Sequence, residues 1–395
     1  MWDKLKLLFS AQKRKNLMDT DFLDPKQKTI LIIDDDVPQH DKSSGSKRLF
    51  ELIKILKTLN LNVIFLPNDG VAIEPYYSDL KNLNVEILLS NPNRNLMLKK
   101  LDFLLPFIDY AWISRPSLNK KFQQKIKKNR ATRVIFDTVD LHFVRILRQA
   151  ETEKNEKQKL NGLKTKKNEL KLAKCANATV TVTEIEKNIL SSENIKNVFV
   201  IPNIHEPKYQ RNPKDFEQRN GLLFIGGYKH EPNIDAVKWL INDIMPLVWQ
   251  RLGKIPVYLL GSHPPKEVTD LANDLVFVPG YLENVGGYFE NCRLFAAPLR
   301  YGAGMKGKIG QSLEYNLPIV TTDIGAEGMD LTDGENILIA NETKQFANKI
   351  INLYQDPLLW NNIKNNASNA ISEYSVEVVK SKLSGLFEYL DQKEL

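Results

Sequence analysis

The chain has 395 residues, too many for one ordinary hydrophobic core, and is expected to form two domains. Its 55 basic and 48 acidic residues give a net charge of +7, which suits an anionic ligand but does not by itself indicate nucleic acid. Two cysteines without a CxxC pair exclude a disulfide-stapled secreted domain and favour a reducing, cytoplasmic compartment.

Residues 1–27 are predicted to form an N-terminal arm. Its beginning, MWDKLKLLFSAQKRKN, lacks the apolar core and the cleavage site of a signal peptide. Apolar residues and lysines mix there, a pattern typical of a solvated arm or of a short helix on an anionic membrane. No apolar run in the chain approaches the roughly 18 residues that span a bilayer. The sequence therefore predicts a cytoplasmic protein, with peripheral contact at the inner face of the cell membrane as an alternative.

Residues 28–205 alternate short apolar runs with helical patterns and are predicted to form the first domain. The predicted strands are TILIID, NVIFLP, VEILLS, YAWISR, RVIFDTVD and ATVTVT. Such alternation predicts a parallel sheet that is covered by helices on both faces. The lysine-rich residues 151–174 are predicted to form a solvated helix, with contact to lipid head groups as the alternative.

Three aspartates, residues 34–36, follow the first predicted strand. A phosphoreceiver site is excluded because the strand VEILLS ends in Ser90, where that chemistry needs an aspartate. A DxD metal motif is also excluded. In the other nucleotide-sugar transferase fold that motif follows a whole nucleotide-binding half, whereas this cluster follows the first strand of the domain. We interpret the cluster as the end of a strand, with Asp36 or Asp41 capping the next helix. The loop DKSSGS then places Gly45 near a helix N-terminus, where free N–H groups favour an anion or merely form a cap.

A polar, proline-rich segment, IPNIHEPKYQRNPKDFEQRN, interrupts the periodicity and carries the predicted domain boundary. The alternation of strands and helices then restarts. This predicts a second doubly wound domain over residues 206–375 and a C-terminal helix over residues 376–395. When two such domains face each other, the carboxyl ends of both sheets border the cleft between them, and ligands bind at such ends.

The most informative stretch is APLRYGAGMKGKIGQSLEYN, a strand, a glycine-rich loop and a helix. The glycines and cations of the loop are Gly302, Gly304, Gly307, Arg300, Lys306 and Lys308. Glycines allow close backbone approach, the helix N-terminus supplies N–H donors, and the cations add charge-assisted bonds, so the pattern predicts a diphosphate site. The GK[ST] of a Walker loop is absent. Gln311 is placed to bond a ribose hydroxyl, and Glu314 is interpreted as an outer residue.

Two further loops contain polar candidates. His142 follows the strand in FDTVDLHFVR, where its imidazole would donate to a sugar hydroxyl or a phosphate, or would serve a structural role. The segment FIGGYKHEPNIDAV places Gly226 and Gly227 in a strand-to-helix loop, which faces the same phosphates or merely turns the chain.

These stretches resemble the group 1, or family 4, glycosyltransferases, and within them a bacterial branch that acts in polysaccharide and glycan assembly. The resemblance runs from about residue 29 to 390, and its most specific segments are FIGGYKHEPNIDAVKWL, PLRYGAGMKGKIGQSL, PIVTTDIGAEGM and VIFDTVDLH. It implies the α/β GT-B fold, two facing Rossmann-like domains. It also implies retaining transfer from a nucleotide sugar to a glycan, lipid-linked or protein acceptor, with no metal, no cofactor and no nucleic acid.

The resemblance also implies roles for individual residues, with the donor on the second domain and the acceptor on the first. The implied catalytic residues are Lys306, Arg300 and His142. The implied donor-binding residues are Gly45, Gly226, Gly227, Gly261, Tyr281, Gly302, Gly304, Lys308, Gln311 and Glu327. In this scheme the cations neutralise the diphosphate, Gln311 holds the ribose, the loops at Gly261 and Tyr281 bracket the base, and His142 touches the transferred sugar.

One departure from the family concerns two positions. The family carries glutamates where this sequence has Ala303 and Gln311. An amide oxygen still accepts a hydrogen bond from a hydroxyl, but it carries no charge. This loss motivates an alternative, a non-catalytic sugar-binding partner of another transferase. A nucleotide-sugar epimerase is a further alternative, and the sequence offers no obvious set of acids and bases for it.

Overall fold

The structure is a computed structural model that describes residues 20, 22–90, 93–208 and 214–392. The short helix considered for the start of the N-terminal arm lies outside the described residues. Leu23 is buried in a core of the first domain, so this domain includes residues that the sequence assigned to the arm. Among the described helices, none combines the length and the apolar character needed to cross a membrane.

The first domain contains a seven-stranded parallel sheet in the order β3-β2-β1-β4-β5-β6-β7. Its strands are β1 (Thr29–Asp34), β2 (Asn62–Pro67), β3 (Glu86–Ile87), β4 (Tyr110–Ser114), β5 (Arg133–Asp137), β6 (Ala178–Thr181) and β7 (Val198–Val200). Its helices are α1 (Ser44–Thr58), α2 (Tyr76–Asn82), α3 (Arg94–Leu104), α4 (Pro116–Ile126), α5 (His142–Thr152), α6 (Glu156–Cys175) and α7 (Glu184–Ser192). In β1, Ile30 and Ile32 face one core while Leu31 and Ile33 face the other, which explains the unbroken apolar run.

The second domain contains a six-stranded parallel sheet in the order β10-β9-β8-β11-β12-β13. Its strands are β8 (Leu222–Ile225), β9 (Val257–Leu260), β10 (Val276–Gly280), β11 (Leu294–Ala297), β12 (Ile319–Thr321) and β13 (Leu338–Ile339). The helices that follow the domain boundary are α8 (Glu231–Trp239), α9 (Met245–Leu252), α10 (Lys266–Thr269), α11 (Gly286–Asn291), α12 (Gly307–Glu314), α13 (Asp323–Ala326), α14 (Thr343–Gln355), α15 (Pro357–Ala370) and α16 (Val376–Gln392).

The chain adds strands to the two sheets in the same order. In each, the chain builds three strands to one side, β1 to β3 or β8 to β10, and then returns to add β4 or β11 on the other side. The loops that leave the two central strands therefore diverge, and a crevice opens between them at the carboxyl edge. The strand order thus places one ligand-binding crevice in each domain.

Helix α16 returns the chain to the first domain. Leu383, Leu386 and Leu390 are buried against the core residues of β1. Where the chain passes between domains, the two passing segments are bonded side by side, because the His205 N–H donates to the Tyr374 carbonyl at 2.9 Å. The domains are therefore connected by two adjacent crossings.

Candidate functional site

The two crevices face each other across one cavity of about 670 Å³, which we call the cleft. It is lined from the first domain by the loops after β1, β4 and β5, and from the second by those after β8, β9, β10 and β11. A volume of this size is typical of a small-molecule site. The predicted residues that line it are Gly45, His142, Gly226, Gly227, Gly261, Tyr281, Gly302, Gly304, Lys306, Lys308 and Gln311.

The N-terminus of α12 faces the cleft and carries two cations, the buried Lys306 and the half-buried Lys308. The Lys306 ammonium donates to the Gly304 carbonyl at 2.7 Å. The Lys308 ammonium donates to the side-chain oxygen of Asn233 and lies 4.3 Å from the centre of the Phe224 ring. Burial lowers the pKa of Lys306 to about 8, and burial together with the nearby Lys306 lowers that of Lys308 to about 7. Within the described chain, neither lysine has a carboxylate at ion-pair distance, so both remain available to an anion.

The N-terminus of α1 meets that of α12 across the cleft. A β-carbon on Gly307 would lie only 2.3 Å from the β-carbon of Ser44, so a larger residue there would push the two helices apart. The side chain of Ser43 caps α1 by accepting from the Ser46 N–H at 3.1 Å. Two helix N-termini, each rich in N–H donors, therefore converge on the same space.

The aspartates at the end of β1 and in the loop that follows it support the walls of the cleft. The buried Asp34 carboxylate accepts a hydrogen bond from Arg115 at 2.9 Å, while Asp41 accepts one from the Tyr281 hydroxyl of the second domain. The expectation that Asp36 or Asp41 caps α1 is wrong, because Ser43 takes that position. The cluster ends a strand, as interpreted from the sequence, and its carboxylates hold neighbouring loops.

Arg300 is not among the residues that line the cleft. Its guanidinium donates to the Asp235 carboxylate at 2.8 Å and lies 5.6 Å from the centre of the Trp239 ring. Its neighbours Leu299 and Tyr301 do face the cleft. Because side chains of an extended segment alternate in direction, Arg300 points away, and the expected contact with a diphosphate is corrected.

Glu327 also lies outside the cleft lining. Its carboxylate accepts from Arg148 of α5 at 2.7 Å, and the same guanidinium nitrogen donates to the Gly302 carbonyl at 2.8 Å. The pair therefore anchors the glycine-rich loop from behind. The expected role of Glu327 in binding the donor is corrected to this support of the loop.

His142, the first residue of α5, contacts an acid that the sequence analysis did not identify. The Asp140 carboxylate lies 3.1 Å from His142 Nε2 and 3.2 Å from Arg145 Nε, through different oxygens. Burial alone would raise the pKa of Asp140, but the hydrogen bond from His142 and the charge of Arg145 lower it well below its ordinary value. Asp140 is thus an ionised carboxylate with both oxygens engaged. The sequence signal that points to Asp140 is its position two residues before His142, just after β5.

Two buried glutamates hold the start of α5. Glu186 accepts from the Leu141 N–H at 2.8 Å, and Glu169 accepts from the N–H groups of His142 and Phe143, both at 3.2 Å. Burial raises the pKa of Glu186 to about 8 and that of Glu169 to about 7. These bonds fix the backbone at which His142 enters the cleft.

Glu314 joins the two domains. The sequence suggested an outer residue, but Glu314 is buried and lines the cleft. Its carboxylate accepts from Lys47 of the first domain and from His205 Nδ1, both at 2.7 Å. Burial raises the pKa of Glu314, yet the hydrogen bond from His205 and the charge of Lys47 leave it below its ordinary value. This cluster holds α1 against α12.

Comparison with known proteins finds a family model that matches most of the second domain. Residues 219–356 match the family model described as Glycosyl transferases group 1. Over 184 residues the chain is 29% identical to an uncharacterized 44.6 kDa protein in the cps region of Klebsiella pneumoniae. That alignment covers 44% of this chain and 46% of the relative, so the match spans about half the length of the relative.

Solved structures are similar over nearly the whole chain. HepE of Anabaena, in complex with UDP and glucose, has a TM-score of 0.68 at 14% identity, over 92% of this chain and 100% of that chain. A TarM mutant of S. aureus, in complex with Fondaparinux, alpha-GlcNAc-glycerol and UDP, has a TM-score of 0.69 at 14% identity, over 91% and 100%. Likeness at this identity shows the fold alone. The predicted fold, two facing Rossmann-like domains of the GT-B type, is confirmed.

Proposed function

We propose that this chain, which carries a group 1 glycosyltransferase domain in a GT-B fold, transfers a sugar from a nucleotide sugar to an acceptor. The reaction proceeds with retention and without a metal, and it serves polysaccharide or glycan synthesis. The observation that carries the proposal is the pair of cleft-lining lysines at the N-terminus of α12, one buried and one half-buried, opposite the N-terminus of α1. Among the described residues, no carboxylate forms an ion pair with either lysine.

The donor binds with its diphosphate between the two helix N-termini. Lys306 and Lys308 balance the charge, and the N–H groups of both helices donate to the phosphate oxygens. Gln311, one turn into α12 on the cleft wall, takes a ribose hydroxyl. Gly261 and Tyr281 line the part of the cleft where the base lies.

The same arrangement accelerates the reaction. As the glycosidic C–O bond to the diphosphate breaks, negative charge builds on the leaving oxygen. Fixed cations and N–H dipoles at that point stabilise the transition state more than the bound donor. They also need no reorganisation during the step, because burial and packing already hold them.

The transferred sugar lies toward His142 on the first domain. Asp140 lies beside His142, and both of its oxygens are engaged by His142 and Arg145, so it orients the imidazole rather than attacking carbon. The acceptor oxygen approaches on the face that the leaving group vacates. Its proton passes to a phosphate oxygen of the departing diphosphate, and retention follows from this same-face exchange.

The comparisons support a role in glycan assembly. The Klebsiella relative is encoded in a cps region, and the HepE and TarM structures are complexes with UDP. We therefore choose uridine diphosphate sugars as the first donors to test. The base, the sugar and the acceptor of this chain are otherwise set by the shape of the cleft.

One observation favours a second candidate function. Ala303 lines the cleft at a position where the family carries a glutamate, so a contact to the donor sugar is absent from that position. A non-catalytic partner of another transferase would keep donor or glycan binding and lack turnover.

A panel of nucleotide sugars separates the two functions. Thermal shift identifies the donor because a ligand that binds only the native state raises Tm. The selected donor is then tested for hydrolysis and for transfer to glycan and lipid-linked acceptors. Turnover by the intact chain that is lost in Lys308→Ala supports the enzyme. Specific binding without turnover on any acceptor supports the partner, and no shift with any nucleotide sugar contradicts the donor site itself.

A further inference from the structure

Helix α6 presents a face that the proposed function does not use. Gly162, Glu169 and Ala173 lie on its buried side, and a β-carbon on Gly162 would lie 2.6 Å from Leu147 of α5. The opposite side is exposed to solvent along its length. None of the residues of α6 lines the cleft.

The exposed side has an unusual composition. At 100° per residue, an arc of about 120° contains Glu156 and Cys175 at the two ends of the helix, and the other seven side chains in it are lysines and leucines. They are Lys157, Leu160, Leu163, Lys164, Lys167, Lys171 and Lys174, and we call them the α6 stripe. Leu160 is 68% exposed and Leu163 is 50% exposed. Five lysines and two uncovered leucines therefore share one face that is about 25 Å long.

The charges of the stripe have no ion-pair partner among the described residues. No carboxylate of the described residues forms an ion pair with any of its five lysines. The one acid within the arc, Glu156, pairs with Lys159, which is outside the stripe. At the far end, the ammonium of Lys127, the residue after α4, donates to the Cys175 carbonyl at 2.5 Å, so a further cation adjoins the stripe.

We propose that the α6 stripe docks the protein on an anionic membrane surface. Lysines along one face attract acidic head groups, while exposed leucines on the same face enter the boundary between head groups and acyl chains. Nucleic acid fits the stripe less well, because it has no aromatic side chain on which bases stack. The stripe is separate from the cleft, so this docking stands or falls independently of sugar transfer.

The test measures binding of the full chain to phosphatidylcholine vesicles with and without phosphatidylglycerol, by co-sedimentation. The full chain is expected to bind only the anionic vesicles, and high salt should weaken the binding. The double variant Lys164→Gln, Lys171→Gln should reduce the partition coefficient by more than about tenfold. The double variant Leu160→Gln, Leu163→Gln should also reduce it, which a purely ionic contact would not show.

Matched variants on the second domain serve as controls. Lys254→Gln with Lys344→Gln removes two exposed lysines without an ion pair in the described chain, and Leu358→Gln removes a leucine that is 81% exposed. Both are expected to bind like the unmodified protein. Thermal melts of all variants check that they fold.

The two cysteines allow an independent readout. Cys175 is exposed at the end of the stripe and Cys292 is buried, so a thiol-reactive, environment-sensitive dye labels Cys175 selectively. Its emission should shift with anionic vesicles and not with neutral ones. The proposal is overturned if the full chain ignores anionic vesicles, if the stripe variants bind as the controls do, or if RNA or DNA displaces the vesicles at matched phosphate concentration.

Discussion

Both walls of the cleft carry cations, but the cations on the two domains have different partners. On the first domain, each arginine that lines the cleft is paired with an aspartate. These pairs are Arg48 with Asp137 at 2.7 Å, Arg115 with Asp34 at 2.9 Å, and Arg145 with Asp140 at 3.2 Å. On the second domain, Lys306 and Lys308 are bonded only to neutral oxygens. An anion therefore gains most beside α12, because the arginines are already neutralised.

The difference also appears in protonation. Burial lowers the pKa of Lys306 to about 8, although the charge of Glu327 opposes this shift, and burial together with the nearby Lys306 lowers the pKa of Lys308 to about 7. A bound diphosphate supplies the missing charge and restores the cationic form. The arginines of the first-domain wall are thus paired within the protein, whereas Lys306 and Lys308 of the second-domain wall pair with a charge only when an anion binds.

The largest expected effect comes from removing the charges of the second wall. Lys306→Ala or Lys308→Ala should lower kcat/KM for transfer by more than about 100-fold, because each removes a fixed donor at the leaving diphosphate. Enzyme assays with the donor identified by thermal shift measure this loss. Arg300→Ala is the matched control and should stay within about threefold, since Asp235 holds Arg300 outside the cleft. Unchanged activity in Lys306→Ala removes this loop from the mechanism.

A smaller effect is expected from the first wall. Asp140→Asn should lower kcat by about tenfold to a hundredfold, because His142 loses the carboxylate that orients it. Asp235→Asn breaks an ion pair outside the cleft and should leave kcat unchanged. Equal losses in both variants would mean that Asp140 acts only through folding.

The pH dependence of binding sharpens the comparison. A bound anion raises the pKa of Lys308 above its value in the free protein, which is about 7. Affinity for a nucleoside diphosphate is therefore full below pH 7 and falls as the pH rises through this value. Calorimetric titrations should show about tenfold weaker binding at pH 9 than at pH 7. Lys308→Arg keeps its charge throughout this range, so its slope should be shallower. A slope that is identical in the two proteins would assign the proton to another group.

The smallest effect concerns the contact at the edge of the cleft. Tyr281→Phe removes the hydroxyl that donates to Asp41 of the other domain. Since a single exposed hydrogen bond contributes about 1 kcal/mol or less, KM for the donor should rise about twofold to fivefold. Tyr77→Phe, away from the cleft, should leave KM unchanged. An effect of Tyr281→Phe on kcat alone would contradict a role in donor binding.

The sequence predicted the fold because its strands and helices are locally coded. The unbroken run TILIID could only be a strand that is buried on both faces, and the observed β1 is such a strand. The strand predicted at VEILLS shrinks to Glu86–Ile87, since it lies at the sheet edge and pairs with β2 alone. Helix α16 formed as predicted, but its packing on the first domain depends on a distant contact that no local pattern encodes.

The parts of the site that depend on a local pattern of strand, loop and helix could be predicted from the sequence. The parts that depend on the direction of a side chain, or on a partner far away in the chain, could not. The glycine-rich loop and Lys306 follow from the pattern of a strand, a loop and a helix. The prediction for Arg300 is wrong because the loop pattern does not show that Leu299 and Tyr301 face the cleft while Arg300 points away. Glu314 could not be placed, because its partner Lys47 lies 267 residues away in the chain.

The most direct test of the account is an experimental structure of the full chain with a bound nucleoside diphosphate. We expect the phosphates at the N-terminus of α12, within hydrogen-bond distance of the Lys306 and Lys308 ammonium groups, with Arg300 still paired with Asp235. Phosphates bound instead at Arg115 or Arg145 of the first domain, with both lysines remote, would contradict it.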